Sequence, residues 1–490
     1  MMFKLSNPGI LVFCFALAAC AVGPDYRAPE TTLPADWTER AFGVARNDTK
    51  ALARWWRTFD DPTLNTLVTK AIDSNRNLRE AVLRVREARF RRGIASGEFY
   101  PDVDASGSYN KQSPSENIEL GAPGDIGGAS FGQDVELFSL GTDASWELDA
   151  FGRVRRLVEA ADADYQASVA DAHDVLVTLL ADLTLNYVDY RSFQRRVAIA
   201  RANARAQAET LEITRARFNE GLVTELDVSQ ARTNLASTRA AIPRLEARRK
   251  QALNRVAVLV GEFPGALQTL LQDSAPVPVA KSGVAFGVPA ELIRRRPDIR
   301  RAERELAAQT ARIGVAEAAL YPQFSISGFF GFESGSTGNL FDAASQTYSF
   351  GPAFVWNLFD FGRVRNNIRV QDALQRQALA RYEQAILTAV ADVENALTRY
   401  ARERERRRSL VEAVRSAERT VAIARSQYAE GLTGFQNVLD AQRSLFAQED
   451  ALAASDAAVT SNLVALYRAL GGGWQRAQLS GKKGLLLSAR

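Results

Sequence analysis

His173 is the only histidine in 490 residues, and it stands between Asp171 and Asp174. An imidazole beside carboxylates has the makings of a general base, but that role needs a nucleophile delivered to it by tertiary structure. The preferred reading is a residue on a helix face. Two cysteines and two methionines complete the stock of metal-binding and redox side chains, too few for a zinc, haem or thiol centre. Charge clusters such as Glu403 between Arg402 and Arg404 read as a solvated face. With 61 basic and 57 acidic residues the net charge is +4, which implies no nucleic acid or other polyanionic partner. These residues predict no catalytic site, no metal site and no enzyme.

One side chain does promise covalent chemistry. The apolar run from Ile10 to Cys20 is too short to span a bilayer, which takes about 20 residues, but it suits a secretory signal. It closes Leu17-Ala18-Ala19-Cys20, resembling the bacterial lipobox, in which the cysteine sulfur takes the lipid and becomes residue one. The expectation is a signal peptide over 1–19 and a covalent lipid on Cys20 as the only non-protein group. Cys14 leaves with the signal, so no internal disulfide is expected. Ala21 follows the cysteine where aspartate would resemble an inner-membrane retention signal, which points the anchor to the outer membrane.

The elements that must carry such a chain are written twice. "WELDAFGRVR" from Trp146 recurs as "WNLFDFGRVR" from Trp356, 210 positions on. The same offset joins Tyr190 to Tyr400, Glu220-Gly221-Leu222 to Glu430-Gly431-Leu432, and Gly261 to Gly471. Upstream it becomes 221, joining Gly93 to Gly314 and Tyr100-Pro101 to Tyr321-Pro322. A spacing held over so much chain is an internal duplication.

Each copy opens with an Ala/Arg/Glu-rich helix, about Pro62 to Gly97 and Asp298 to Ala319, stopped by Tyr-Pro because proline lacks the amide proton. Two alternating segments follow, within about 102–148 and 323–357, separated by a polar, glycine-rich loop. A long helix comes next. Ala161, Tyr165, Val169, Ala172, Leu176, Leu180, Leu183, Tyr187 and Tyr190 fall on one face. Leu379, Tyr382, Ile386, Val390, Val393, Leu397 and Tyr400 repeat its last seven positions. Neither proline nor glycine interrupts the 68 residues from Arg153 to Glu220, or from Arg363 to Glu430. Such a helix is on the order of 100 Å long, and its stripe needs an equally long partner. The next helix, about Glu225 to Val260, is half that, so two half-length helices stacked end to end are expected to cover it.

No stretch is apolar enough for a membrane helix. The alternation of the strand segments is imperfect and glycine-rich, and taken alone it suits a soluble hairpin; the long helices and the lipid signal shift the reading to membrane strands. Strands in lipid must close into a barrel to pair every backbone group, and known barrels use about eight strands or more. Four per chain cannot close around a channel, whereas three chains give twelve. The expected fold class is therefore an α+β membrane protein, mostly helical: a trimer with a twelve-stranded β-barrel continued by an α-helical barrel.

The chain resembles the TolC-like outer membrane efflux proteins, specifically the NodT-type lipoprotein branch that serves RND-type pumps. The resemblance rests on "CAVGPDYRAP" from Cys20, "WWRTFDDPTL" from Trp55, the paired "FGRVR", "QNVLDAQRSL" from Gln436 and "LYRALGGGW" from Leu466. It implies a homotrimeric duct in outer-membrane lipid, fed by a periplasmic adaptor and an inner-membrane RND-type pump. It also implies an equatorial belt drawn from 20–61, 263–290 and 474–490, around repeats at 62–262 and 291–473. Under it, Gly221, Leu222, Val223 and Thr224, with Gly431, Leu432 and Thr433, are the helix tips that meet the adaptor, although turn geometry alone accounts for the glycines. Asp440 looks like the family's constricting aspartate at the periplasmic aperture. Arg443 could instead hold it in a surface ion pair, and Asp227 is a weaker candidate. Two other readings stand beside the efflux duct: a periplasmic coiled-coil lipoprotein without a pore, and a secretion duct for polypeptides on the same fold.

Overall fold

The computed structural model describes residues 21–30, 37, 52–113, 134–280 and 294–474. Cys20 and the signal peptide lie outside the described residues, as do most of the first polar loop and the tail beyond Trp474. Contacts divide the chain across the duplication. One unit gathers Arg86–Gln166 and Glu303–Ala380 with the segment ending at Ala28, and the other holds Pro29–Val85, Ala167–Ala302 and Arg381–Arg490.

The first unit carries the strands β1 (Asp102–Gln112), β2 (Val135–Leu148), β3 (Gln323–Ser334) and β4 (Gln346–Val355). They form one antiparallel sheet in the order β1-β2-β3-β4. The hairpins share a register. Asp102 opposite Ser145 and Asp104 opposite Asp143 in the first become Gln323 opposite Val355 and Ser325 opposite Ala353 in the second, at offsets of 221 and 210.

Each hairpin is tied to its helices by the same bond. Trp146 Nε1–H donates to the Phe99 carbonyl at 2.9 Å, and Trp356 Nε1–H to the Leu320 carbonyl at 3.1 Å. The long helices begin at Arg153 and Arg363, each behind a left-handed glycine, Gly152 and Gly362. An aspartate satisfies the first free amides of each. Asp149 accepts from Val154 and Arg155 N–H, and Asp360 from Gly362 and Val364 N–H. The two caps are one position out of step in the repeat. In the first copy Val22 and Gly23 are also bound at the joint, because the buried Arg156 guanidinium donates to both their carbonyls and to Asp25.

The single helix expected from Pro62 to Gly97 is two: α1 (Pro62–Ser74) and α2 (Arg76–Gly97). Asn75 breaks it in extended geometry. Its Oδ1 accepts from Leu78 N–H while its Nδ2 donates to the Leu259 carbonyl, both at 2.9 Å. Asparagine competes with the helix for its own backbone groups, and here the tertiary partner decides the outcome. The remaining helices are α3 (Arg153–Asn219), α4 (Glu225–Leu259), α5 (Pro297–Ala318), α6 (Arg363–Ala429) and α7 (Phe435–Ala469).

Leu259 ends α4 and Asn75 precedes α2, so these half-length helices do meet end to end. The second copy repeats the contact with another residue type. Arg296, before α5, donates to the carbonyl of Ala469 at the end of α7, at 2.8 Å. A cation suits a helix C-terminus. Glycine lets the backbones approach: a Cβ at Gly261 would sit 2.4 Å from the Ser74 carbonyl oxygen, and one at Gly471 3.2 Å from Arg296. Leu176, Leu180, Leu183 and Tyr187 of the α3 stripe are fully buried in this core with Trp55, Leu267 and Leu271. Ala161, Tyr165 and Val169 are only half-buried.

Candidate functional site: a two-faced sheet and two helix turns

The strand register sorts the sheet into two faces. One carries Val103 and Tyr109 of β1, Leu140 and Trp146 of β2, Phe324, Ile326 and Phe330 of β3, and Tyr348, Phe350 and Phe354 of β4. Phe350 is 79% exposed and Tyr348 78%. The other face carries Asp104, Ser106, Ser145, Asp143, Ser325, Ser327, Ser349 and Gly351. Its one large apolar ring, Phe329, lies over the paired glycines Gly141 and Gly331, where a Cβ would come within 2.6–2.7 Å of it. An exposed aromatic face opposite a hydroxyl and carboxylate face suits lipid on one side and water on the other.

The two helix turns in the other unit are built alike. In the first, Leu222 N–H donates to the Arg217 carbonyl and Gly221 N–H to the Phe218 carbonyl; in the second, Leu432 N–H donates to Gln427 and Gly431 N–H to Tyr428. This closure needs a left-handed residue, and both glycines have φ +76°. Leu222 and Leu432 are left 61% and 73% exposed. Val223 is half-buried against the core beneath the tip, and Thr433 accepts from Asn437 Nδ2.

Thr224 precedes α4 and donates both its N–H and its hydroxyl to the Asp227 carboxylate at 3.0 Å. Asp227 is thereby occupied as a cap. Asp440 is exposed and, among the described residues, accepts only from Gln436 Nε2, at 3.2 Å. The alternative ion pair with Arg443 does not form within the chain; Arg443 Nε–H instead donates to Asn234 Oδ1 at 3.1 Å. The sequence reading missed Arg217, whose guanidinium lies 4.7 Å from the Tyr428 ring centroid and caps the end of α6 by donating to the Tyr428 and Ala429 carbonyls. A basic residue in the last turn of α3 was the available signal.

The residues singled out for chemistry are structural. His173 stacks on Trp474 with ring centroids 4.7 Å apart, and burial, with Arg300 adding to it, lowers its pKa from 6.5 to about 4. Asp171 bridges Arg84 and Arg301. Glu403 departs from the solvated-face expectation: its half-buried carboxylate accepts from Ser455 as well as Arg406. Among the described residues no group of histidine, cysteine and carboxylate side chains could hold a metal ion. Trp55 stacks on Tyr467 at 5.2 Å, and Asp61 caps α1 and accepts from the Tyr187 hydroxyl at 2.7 Å. The tryptophan and glycine motifs are thus packing signals.

A model of the family described as outer membrane efflux protein matches residues 67–262 and 288–472. The chain belongs to that family. Nodulation protein T of Rhizobium leguminosarum bv. trifolii is 33% identical over 446 residues, covering 90% of this chain and 92% of that protein. Outer membrane protein OprJ of Pseudomonas aeruginosa is 32% identical, covering 95% of each. The solved outer-membrane channel OprN superposes with a TM-score of 0.86 at 38% identity, covering 93% of this chain and 100% of that one. As an outer membrane efflux protein the chain is a transport channel and not an enzyme. Its fold is mostly helical, with four strands per chain and a duplicated body.

Proposed function

We propose that three copies of this chain form one passive duct, in which twelve strands close a barrel in the outer membrane and the helices continue it into the periplasm. The observation that carries this reading is the two-faced sheet whose two edges are unpaired among the described residues. Backbone groups at an edge cannot stay unpaired in lipid, so one chain's four strands need neighbours. An inner-membrane RND-type pump delivers cargo, and a periplasmic adaptor joins the pump to the duct. The doubled Gly-Leu turns suit the adaptor contact, since each presents one exposed leucine on a rigid turn. A covalent lipid on Cys20 adds a second anchor.

Asp440 is the residue we place at the aperture. It is exposed, has no cationic partner among the described residues and follows the second turn. Three-fold symmetry would set three such carboxylates around one axis, where they favour cations at a narrow point. Asp227, tied to Thr224, contributes by holding its turn. The test is single-channel recording of the purified protein in planar bilayers. Wild type conducts with a preference for cations, and Asp440→Ala raises the current and weakens that preference. A wild type that never conducts would overturn the duct, and an unchanged Asp440→Ala would remove that residue from the aperture.

A further inference from the structure

The chain carries each strand–helix joint twice, yet covers only one of them. In the first copy Phe151 stacks on Tyr321 of the second, with ring centroids 4.6 Å apart. Its counterpart Phe361 is wholly exposed, and so is most of Tyr100, the counterpart of Tyr321. The sheet is unfinished in the same sense. β2 pairs with β3, whereas β4 and β1 are its edges.

The repeat offsets turn this gap into a register. They already convert the first hairpin's pairing into the second's. Applied to the β2–β3 ladder, they move each β2 residue forward by 210 and each β3 partner back by 221. Ala144–Gly328 then becomes Phe354–Gly107, Thr142–Phe330 becomes Pro352–Tyr109, and Asp143–Phe329 becomes Ala353–Ser108.

Resting on the trimeric reading above, we infer that β4 of one subunit pairs with β1 of the next in this register, with Phe361 stacked on the neighbour's Tyr100. Two features of the chain agree with it. The register keeps the two faces in phase across the seam, with Phe354 over Gly107, Pro352 beside Tyr109 and Phe350 beside the Lys111 stem at the loop end, whereas a one-residue slip would set Phe354 against Ser106 or Ser108 and Phe350 against Asn110 or Gln112. It also places the large Phe354 ring opposite a glycine. A two-residue slip keeps the faces but sets Phe354 against Tyr109 or Ala105 and draws Phe361 away from Tyr100. Pro352 supplies no donor, so the ladder is one bond short at that position. The occupant is a second copy, because lipid tails offer nothing to the edge amides and carbonyls.

Cysteine pairs on the polar face test the register, since the chain's own cysteines, Cys14 and Cys20, are confined to the N-terminus. Ala353→Cys with Ser108→Cys is compared with Ala353→Cys paired with Ser106→Cys or Asn110→Cys, by mild oxidation and non-reducing gels. The direct pair should give on the order of tenfold more covalent dimer and trimer, because the ~7 Å diagonal Cβ separation exceeds disulfide reach. Phe361→Cys with Tyr100→Cys should cross-link independently. A slipped pair that links best, or no linkage in either set, within an intact trimer overturns the register and leaves the trimer standing. A wild type that is monomeric in detergent by light scattering overturns the trimeric reading itself.

Discussion

At His173 a proton has to enter a site closed by Trp474 and beside the Arg300 charge, and this sets a pH window for stability. The imidazole titrates near 4 when folded against 6.5 when free, so between these values the unfolded chain binds a proton that the native one does not. The stability this residue contributes is full above pH 6.5 and is lost as pH falls toward 4. The loss is at most about 3 kcal/mol, and less to the extent that water reaches the partly exposed ring. His173→Phe keeps the stacking and removes the titration. The apparent melting temperature of wild type should fall more between pH 7 and pH 4.5 than that of the variant, and parallel curves would count against the assignment. That His173 is structural was legible in the sequence, because a lone histidine on a helical run had no companions. Its partner was not, since Trp474 lies 301 positions away.

Among the elements, the sheet offers the sharpest contrast, because neighbouring residues of one strand face opposite media. Phe350 belongs to the aromatic face and Ser349 to the hydroxyl face. An arginine facing lipid costs ~2–4 kcal/mol near the bilayer midplane, whereas one facing water in the lumen costs little. Phe350→Arg should therefore reduce the heat-modifiable oligomer recovered from membranes, and Ser349→Arg should leave recovery intact while lowering cation preference. Equal recovery of both would remove the lipid-facing assignment. The alternation of β3 and β4 was readable in the sequence, and so were the long helices and the glycine turns, because propensity and local period set them. The break at Asn75 was not, since it depends on a carbonyl at Leu259. Nor was Arg296 recognisable as the counterpart of Asn75, because unlike side chains make the same bond to the same helix end. The caps Asp149 and Asp360 escaped for a related reason: each aspartate reaches the start of its helix from a different repeat position, so aligning the copies hides the shared task.

For the whole molecule, the proposed lipid on Cys20 and the proposed barrel are two anchors that a single substitution separates. A lipobox cysteine carries a diacylglyceryl thioether, and two acyl chains suffice for stable attachment by lipid alone, so only removing the lipid shows what the barrel does. A closed barrel buries an aromatic face from every strand and can leave only by exposing that face to water. If the three-chain barrel forms, it holds the protein in the membrane even without the proposed lipid on Cys20. Cys20→Ser, with the signal still cleaved, should thus fractionate with outer membranes and resist extraction by carbonate, at reduced yield where targeting slows. The segment after the cysteine makes this separation clean. Val22 and Gly23 are fastened to the first joint by Arg156, and Val22 N–H donates to the Phe151 carbonyl, so losing the lipid does not free the strap beside the strands. Release of Cys20→Ser into the soluble periplasmic fraction would mean that the strands alone do not secure the protein. The exposed aromatic face would then need a different explanation.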